Sequence, residues 1–152
     1  MIYKSYILEQ NPEEINKNKI FLIYGENEGL KKEFKEKIKI INKEKEILNF
    51  FQDEIIKNKN IIFNEISNGS LFEKEKIIFI NEVNDKVLDI LINAAEIIND
   101  EKIYLFSTVL EKKSKLRNYL EKSKVCGVTA CYKDNEITIK KIISSKLSSY
   151  SG

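Results

Sequence analysis

Residues Lys76 to Ile80 read Lys-Ile-Ile-Phe-Ile, a short run that is apolar on both alternating faces. Side chains along a strand alternate with a period of two, so a strand with no polar face has no side to give to water. Such a run belongs at the centre of a parallel sheet with helices packed above and below. Four further strand candidates flank it in the chain: Ile20 to Tyr24, Glu46 to Phe51, Ile103 to Ser107 and Val125 to Tyr132. The intervening stretches carry helical spacing. In Glu28 to Ile41, Leu30, Phe34, Ile38 and Ile41 recur at steps of four, four and three. In Asp85 to Asn99, Val87, Leu91, Ala94 and Ile98 share one face, and Asn84 or Asp85 can cap the start. Lys113 to Lys122 reads as a short helix, and Gln52 to Ile66 as a short helix with a connection. Strand and helix therefore alternate five times. This predicts right-handed crossovers and a three-layer α/β domain around a five-stranded parallel sheet.

A chain of 152 residues holds one domain with a substantial core and is too short for two ordinary ones. The sequence predicts the α/β domain over residues 1–132. A further amphipathic helix begins at Asp134 or Asn135 and runs through Leu147, with Ile139, Ile142, Ile143 and Leu147 to one side. It follows the last strand without a partner helix. Either it folds back on the sheet or residues 133–152 are the cut start of a second, helical domain, and the second reading is preferred. In the N-terminal segment, Tyr3, Tyr6 and Ile7 are expected to pack against the sheet edge.

Composition removes several classes of function. The chain has no histidine. Ser-His-Asp and Cys-His nucleophile pairs, histidine bases and histidine metal ligands are thereby excluded. Lys+Arg is 26 and Asp+Glu is 24, a net charge of +2, so bulk charge gives no sign of a basic nucleic-acid module. Lys31, Lys32, Lys35, Lys37 and Lys39 alternate with Glu33 and Glu36 on the first helix and are read as a solvated face. Cys126 and Cys131 lie five residues apart in one strand, so they point to opposite faces and are read as two buried thiols, neither a disulfide nor a metal pair. No apolar run approaches the length of a membrane span, and no secretory leader is apparent. A cytoplasmic protein with no membrane contact is expected.

Ligands of open α/β sheets bind at the carboxyl ends of the strands. The first such end is Gly25-Glu26-Asn27-Glu28-Gly29-Leu30-Lys31-Lys32. A phosphate loop needs a glycine, four residues, and then Gly-Lys-Ser/Thr. Counted from Gly25, Lys31 falls in register, but Leu30 replaces the second glycine and Lys32 replaces the hydroxyl that would hold Mg²⁺. Gly29 stands one place too early. After the third strand, where a P-loop ATPase carries a metal-binding Asp, this chain has Asn81. The pattern points to a P-loop NTPase type of domain that has lost ATP hydrolysis, with no metal and no cofactor. Ser107 and Thr108, at the end of the fourth strand, are read as a helix-capping turn, and Arg117 as a surface ion-pairing residue.

Four segments carry a resemblance to a known family. Gly25-Glu26-Asn27-Glu28-Gly29-Leu30 resembles the Gly-Glu-Asp/Asn-x-x-Leu segment of the bacterial DNA polymerase III delta subunit, the wrench of the sliding-clamp loader. Ser70-Leu71-Phe72-Glu73-Lys74-Glu75-Lys76, leading into the central strand, resembles that family's Leu-Phe segment. Leu110 to Arg117 is similar to its Leu-x-Lys-x-Ser-Lys-Leu stretch, and Cys131 to Glu136 to the entry of its next domain. The resemblance implies an AAA+-like first domain without a functional P-loop, and makes residues 133–152 the beginning of a truncated lid domain. It implies a non-catalytic role in DNA replication: binding the sliding clamp (beta) and helping to open it for loading onto primed DNA. Its partners would be the clamp and the other loader subunits (delta-prime, gamma/tau), with primed DNA met through the complex and nucleotidyl transfer left to the polymerase holoenzyme. The implied clamp wedge is Leu71 and Phe72. The third wedge position is Gly69, a departure from the bulky residue of some members, which weakens the hook or shifts its role to Ile66. Two anchors of this size, each worth roughly 1.5–3 kcal/mol on burial, suit a partner's pocket. The alternative from another class is a small P-loop ATPase or kinase with a degenerate phosphate loop.

Overall fold

The computed structural model describes residues 1–67 and 75–133. Six strands form one all-parallel sheet: β1 (Ile2–Tyr3), β2 (Ile20–Tyr24), β3 (Glu46–Phe51), β4 (Lys76–Asn81), β5 (Lys102–Phe106) and β6 (Cys126–Ala130). Their spatial order is β1-β6-β2-β5-β4-β3. The helices are α1 (Ser5–Gln10), α2 (Glu28–Ile41), α3 (Gln52–Lys57), α4 (Asn60–Ser67), α5 (Leu88–Ile97) and α6 (Lys115–Lys122), with short 3-10 segments at Pro12–Lys17 and Asp85–Val87.

Strand parity divides the core in two. Ile20, Leu22, Ile78, Ile80, Ile103 and Leu105 face one side, where they meet Ile55, Ile62 and Ile66 of α3 and α4, Leu91 and Ala94 of α5, and Leu116 and Leu120 of α6. Phe21, Ile23, Ile77, Phe79, Tyr104 and Phe106 face the other, against Leu8 of α1, Ile15, and Phe34 and Ile38 of α2. Every residue of β2 is buried, as is every residue of β4 up to Ile80. That double burial is what their unbroken apolar runs require, and it makes three layers. Cys126 and Cys131 fall on opposite faces, both buried and both free thiols. Burial pushes the Cys131 thiol up to about 12.

Four expectations need correction. The sheet has six strands where five are expected, because Ile2–Tyr3 adds a short parallel edge to β6, with Ile2 opposite Val128 and Tyr3 opposite Thr129. Two residues are too few to show a period. Of the N-terminal side chains, Tyr3 packs on Phe21 with ring centroids 5.5 Å apart, whereas Tyr6 and Ile7 are exposed and Leu8 is the one buried. The single helix expected after β3 is two, α3 and α4, separated at Asn58. The helix expected from Lys113 starts at Lys115, because the Ser114 side chain accepts from the Arg117 amide and caps it. The helix expected from Asp134 lies outside the described residues. Among the described residues no helix is long and apolar enough to cross a membrane.

Candidate functional site

The carboxyl ends of β3, β4 and β5 and the start of α2 open into a cleft of about 500 Å³. It is lined by Glu28, Lys31, Lys32 and Lys35 of α2, Asn49 and Phe51 of β3, Asn81 and Glu82 after β4, and Phe106, Ser107 and Thr108 after β5. This is the place where an open α/β sheet binds its ligand.

The turn from β2 into α2 is closed by the protein itself. Gly25 has φ +123°, a conformation that side chains rarely adopt. A Cβ on Gly25 would lie 2.2 Å from the Cys131 carbonyl oxygen, so the end of β6 runs directly over the turn. The Gly25 amide donates to the Thr108 carbonyl (3.0 Å) and the Asn27 amide to the Cys131 carbonyl (2.9 Å). Asn27 caps α2, its side chain accepting from the Leu30 amide at 3.1 Å. Three backbone donors of the turn, the Gly25, Asn27 and Leu30 amides, are therefore engaged by the chain itself.

Lys31, in register with a phosphate-loop lysine, is buried. Its ammonium donates to the Ser107 carbonyl (2.9 Å) and pairs with Glu28 (2.6 Å). Lys35, one turn on, donates to the Asn81 side-chain oxygen at 2.7 Å and lies over the rings of Phe106 (5.0 Å) and Phe79 (5.4 Å). Burial, followed by the neighbouring charge of Lys39, holds the Lys35 ammonium below its ordinary range. Thus Lys31 and Lys35 are not part of a solvated face, as their spacing with glutamates suggests. They turn inward, and only Lys32 of the three is exposed. Asn81 also donates to the Asn49 side chain (2.8 Å) and the Phe50 carbonyl (3.0 Å).

These residues do not fit a Mg²⁺-nucleotide. Where the metal would sit, an ammonium already bonds Asn81, and no carboxylate stands at that position. Among the described residues no group of three or more His, Cys, Asp or Glu is placed to hold a metal ion. Ser107 does not cap a helix; its hydroxyl donates to the Val83 carbonyl at 2.7 Å and ties the β5 end to the segment after β4. Thr108 is exposed at the rim.

The remaining expected site residues lie elsewhere. Ile66 is buried in the core beneath α4, 7% exposed. Gly69, Leu71 and Phe72 lie outside the described residues. Gly29 and Leu30 are in the first turn of α2, with Leu30 packed against the core. Arg117 does more than pair at the surface: it holds Glu121 at 2.7 Å, donates to the Leu110 carbonyl at 2.9 Å and stacks over Tyr24 at 5.1 Å.

Sequence reasoning passes over Asn49, Phe51 and Glu82. Glu82 simply follows Asn81, whereas Asn49 and Phe51 meet it only through strand register, in which Phe51 lies opposite Asn81. No local pattern encodes that pairing. No protein-family model matches the chain, and no curated protein matches it either.

Proposed function

We propose that the chain is a non-catalytic interaction domain of the clamp-loader delta type, an AAA+-like P-loop fold that grips a sliding clamp and has no ATPase of its own. The observation that carries the non-catalytic part is the closed turn. Its Gly25 and Asn27 amides, its Lys31 ammonium and the Asn81 side chain are each satisfied by groups of the same chain. The fold part is supported by the strand order. Counted from the strand before the glycine turn, β6-β2-β5-β4-β3 runs fifth, first, fourth, third, second, the arrangement expected of AAA+-type sheets. The partner part rests on the resemblance around Leu71 and Phe72 in the sequence, directly before β4.

Clamp binding has a thermodynamic condition: a binder opens a ring only if it prefers the open state. The test is a calorimetric titration of the chain with a sliding clamp from a related bacterium. Saturable binding is expected, abolished by Leu71→Ala with Phe72→Ala while the circular dichroism spectrum stays unchanged. Binding that survives the double substitution overturns the wedge, and no binding by the parent chain overturns the function. Low-micromolar binding of Mg-ATP in a parallel titration would favour the degenerate ATPase or kinase.

A further inference from the structure

The cleft at the strand ends keeps features that a purely structural surface does not need. Lys32 is exposed on its wall and makes no ion pair among the described residues. Lys35 is partly desolvated, yet its ammonium uses one donor on Asn81 and presents its charge beside two aromatic rings. Phe51 is 47% exposed at the end of β3 and adds a flat apolar face to the lining. The Thr108 hydroxyl lies exposed at the rim. Glu82, immediately after Asn81, is held at φ 55°, the left-handed region that favours glycine. It is the only non-glycine residue with positive φ among the described residues. Strain of this kind persists where the surroundings dictate the backbone, and it collects at ligand sites.

Charge decides the class of ligand. Glu28 is occupied by Lys31, which leaves two ammonium groups, Lys32 and Lys35, and one carboxylate, Glu82, on the lining. The volume, about 500 Å³, suits a small molecule. The closed glycine turn and the ammonium on Asn81 remove the two features that a metal-nucleotide would need. We infer that the cleft binds a small dianion without a metal, its charged group between Lys32 and Lys35 and a flat apolar portion against Phe51. The shared chemistry is a doubly negative group, either a phosphate monoester or a dicarboxylate. A dianion there would offset the desolvation of Lys35 and give Lys32 a partner. The inference is independent of clamp binding and stands or falls separately from it.

The experiment titrates the full chain with phenyl phosphate, phthalate and inorganic phosphate, by calorimetry in the presence of EDTA. At least one of the two aryl dianions is expected to bind saturably at one site. Which of them binds more tightly distinguishes the phosphate source from the dicarboxylate. Lys32→Ala, at an exposed position, should weaken binding at least about tenfold with an unchanged melting temperature. Lys35→Met, which keeps the packing over Phe79 and Phe106, should weaken it similarly. Phe51→Ala should weaken the better aryl ligand and leave inorganic phosphate unchanged. Absence of saturable heat with both aryl dianions overturns the inference, as does binding that both lysine variants leave intact. Binding that appears only when Mg²⁺ replaces EDTA also overturns it, because the site would then be the glycine turn.

Discussion

At Gly25 a single missing carbon sets the fate of the site. The residue stands where a phosphate loop begins, and a glycine there reads naturally as room for a ligand. The room is taken by the chain's own β6 end, with the Cys131 carbonyl 2.2 Å from where a Cβ would sit. Backbone is the obstacle, so no side-chain rotation can relieve it. The φ of +123° adds strain for any residue with a Cβ. Gly25→Ala should therefore destabilise the fold by about 3 kcal/mol or more, read as a lowered denaturant midpoint. An unchanged midpoint would mean that the turn and the end of β6 are not packed together in solution. The position of Gly25 was legible in the sequence, but its role was not. The reason is that its partner, Cys131, is remote in the chain. Lys31 is the same case: its register was legible, while its burial against the Ser107 carbonyl depends on a strand far from it in sequence.

Some elements with a long periodic signal were readable to the residue, though the helix expected over Asp85 to Asn99 opens as a 3-10 turn and its α-helix is Leu88–Ile97. The bounds expected for β2, α2 and β3 are those observed, because five to fourteen residues of consistent pattern leave little choice. Junctions between elements were not readable, and Asp85 shows why. The sequence offers Asn84 or Asp85 as the cap of the helix that follows, and Asn84 takes that role through the Lys86 amide, so Asp85 has another. Its carboxylate instead reaches across to α6, accepting from the Ser114 hydroxyl (2.6 Å), the Leu116 amide (3.1 Å) and the Lys115 amide (3.2 Å). It thereby satisfies amide donors that a helix start leaves open. The Ser114 hydrogen bond, more than the two backbone bonds, holds the Asp85 carboxyl below the usual carboxylate range. Because its folded value is depressed, this contribution is complete above the ordinary aspartate pKa. It is lost as pH falls through the lower folded value. Asp85→Ala should cost about 1 kcal/mol at neutral pH, measured by urea unfolding. The gap between parent and variant should narrow as the pH is taken below the aspartate range. A gap that stays constant to the acid limit would show that the charge on Asp85 contributes nothing.

At the scale of the whole molecule, the sheet order brings one cleft together from the ends of β3, β4 and β5 and the start of α2, and fills part of it from within. A nucleotide site missing only one residue could be made by one substitution. Here three features stand against such a site together: Asn81 is an amide, an ammonium from α2 bonds it, and the β6 end covers the glycine turn. Asn81→Asp tests this directly. It restores the carboxylate expected of a working site, but Lys35, 2.7 Å away, is placed to neutralise it with an ion pair. The Gly25 and Asn27 amides remain bonded to Thr108 and Cys131. The variant should therefore bind Mg-ATP no better than the parent chain in a calorimetric titration. It should unfold at an equal or lower temperature despite the new ion pair, because a carboxylate oxygen then faces the Asn49 side-chain oxygen and the Phe50 carbonyl, to which Asn81 now donates. Micromolar Mg-ATP binding by Asn81→Asp would mean that one residue separates this chain from a working nucleotide site. In that event the closed turn would be a resting conformation that nucleotide can open.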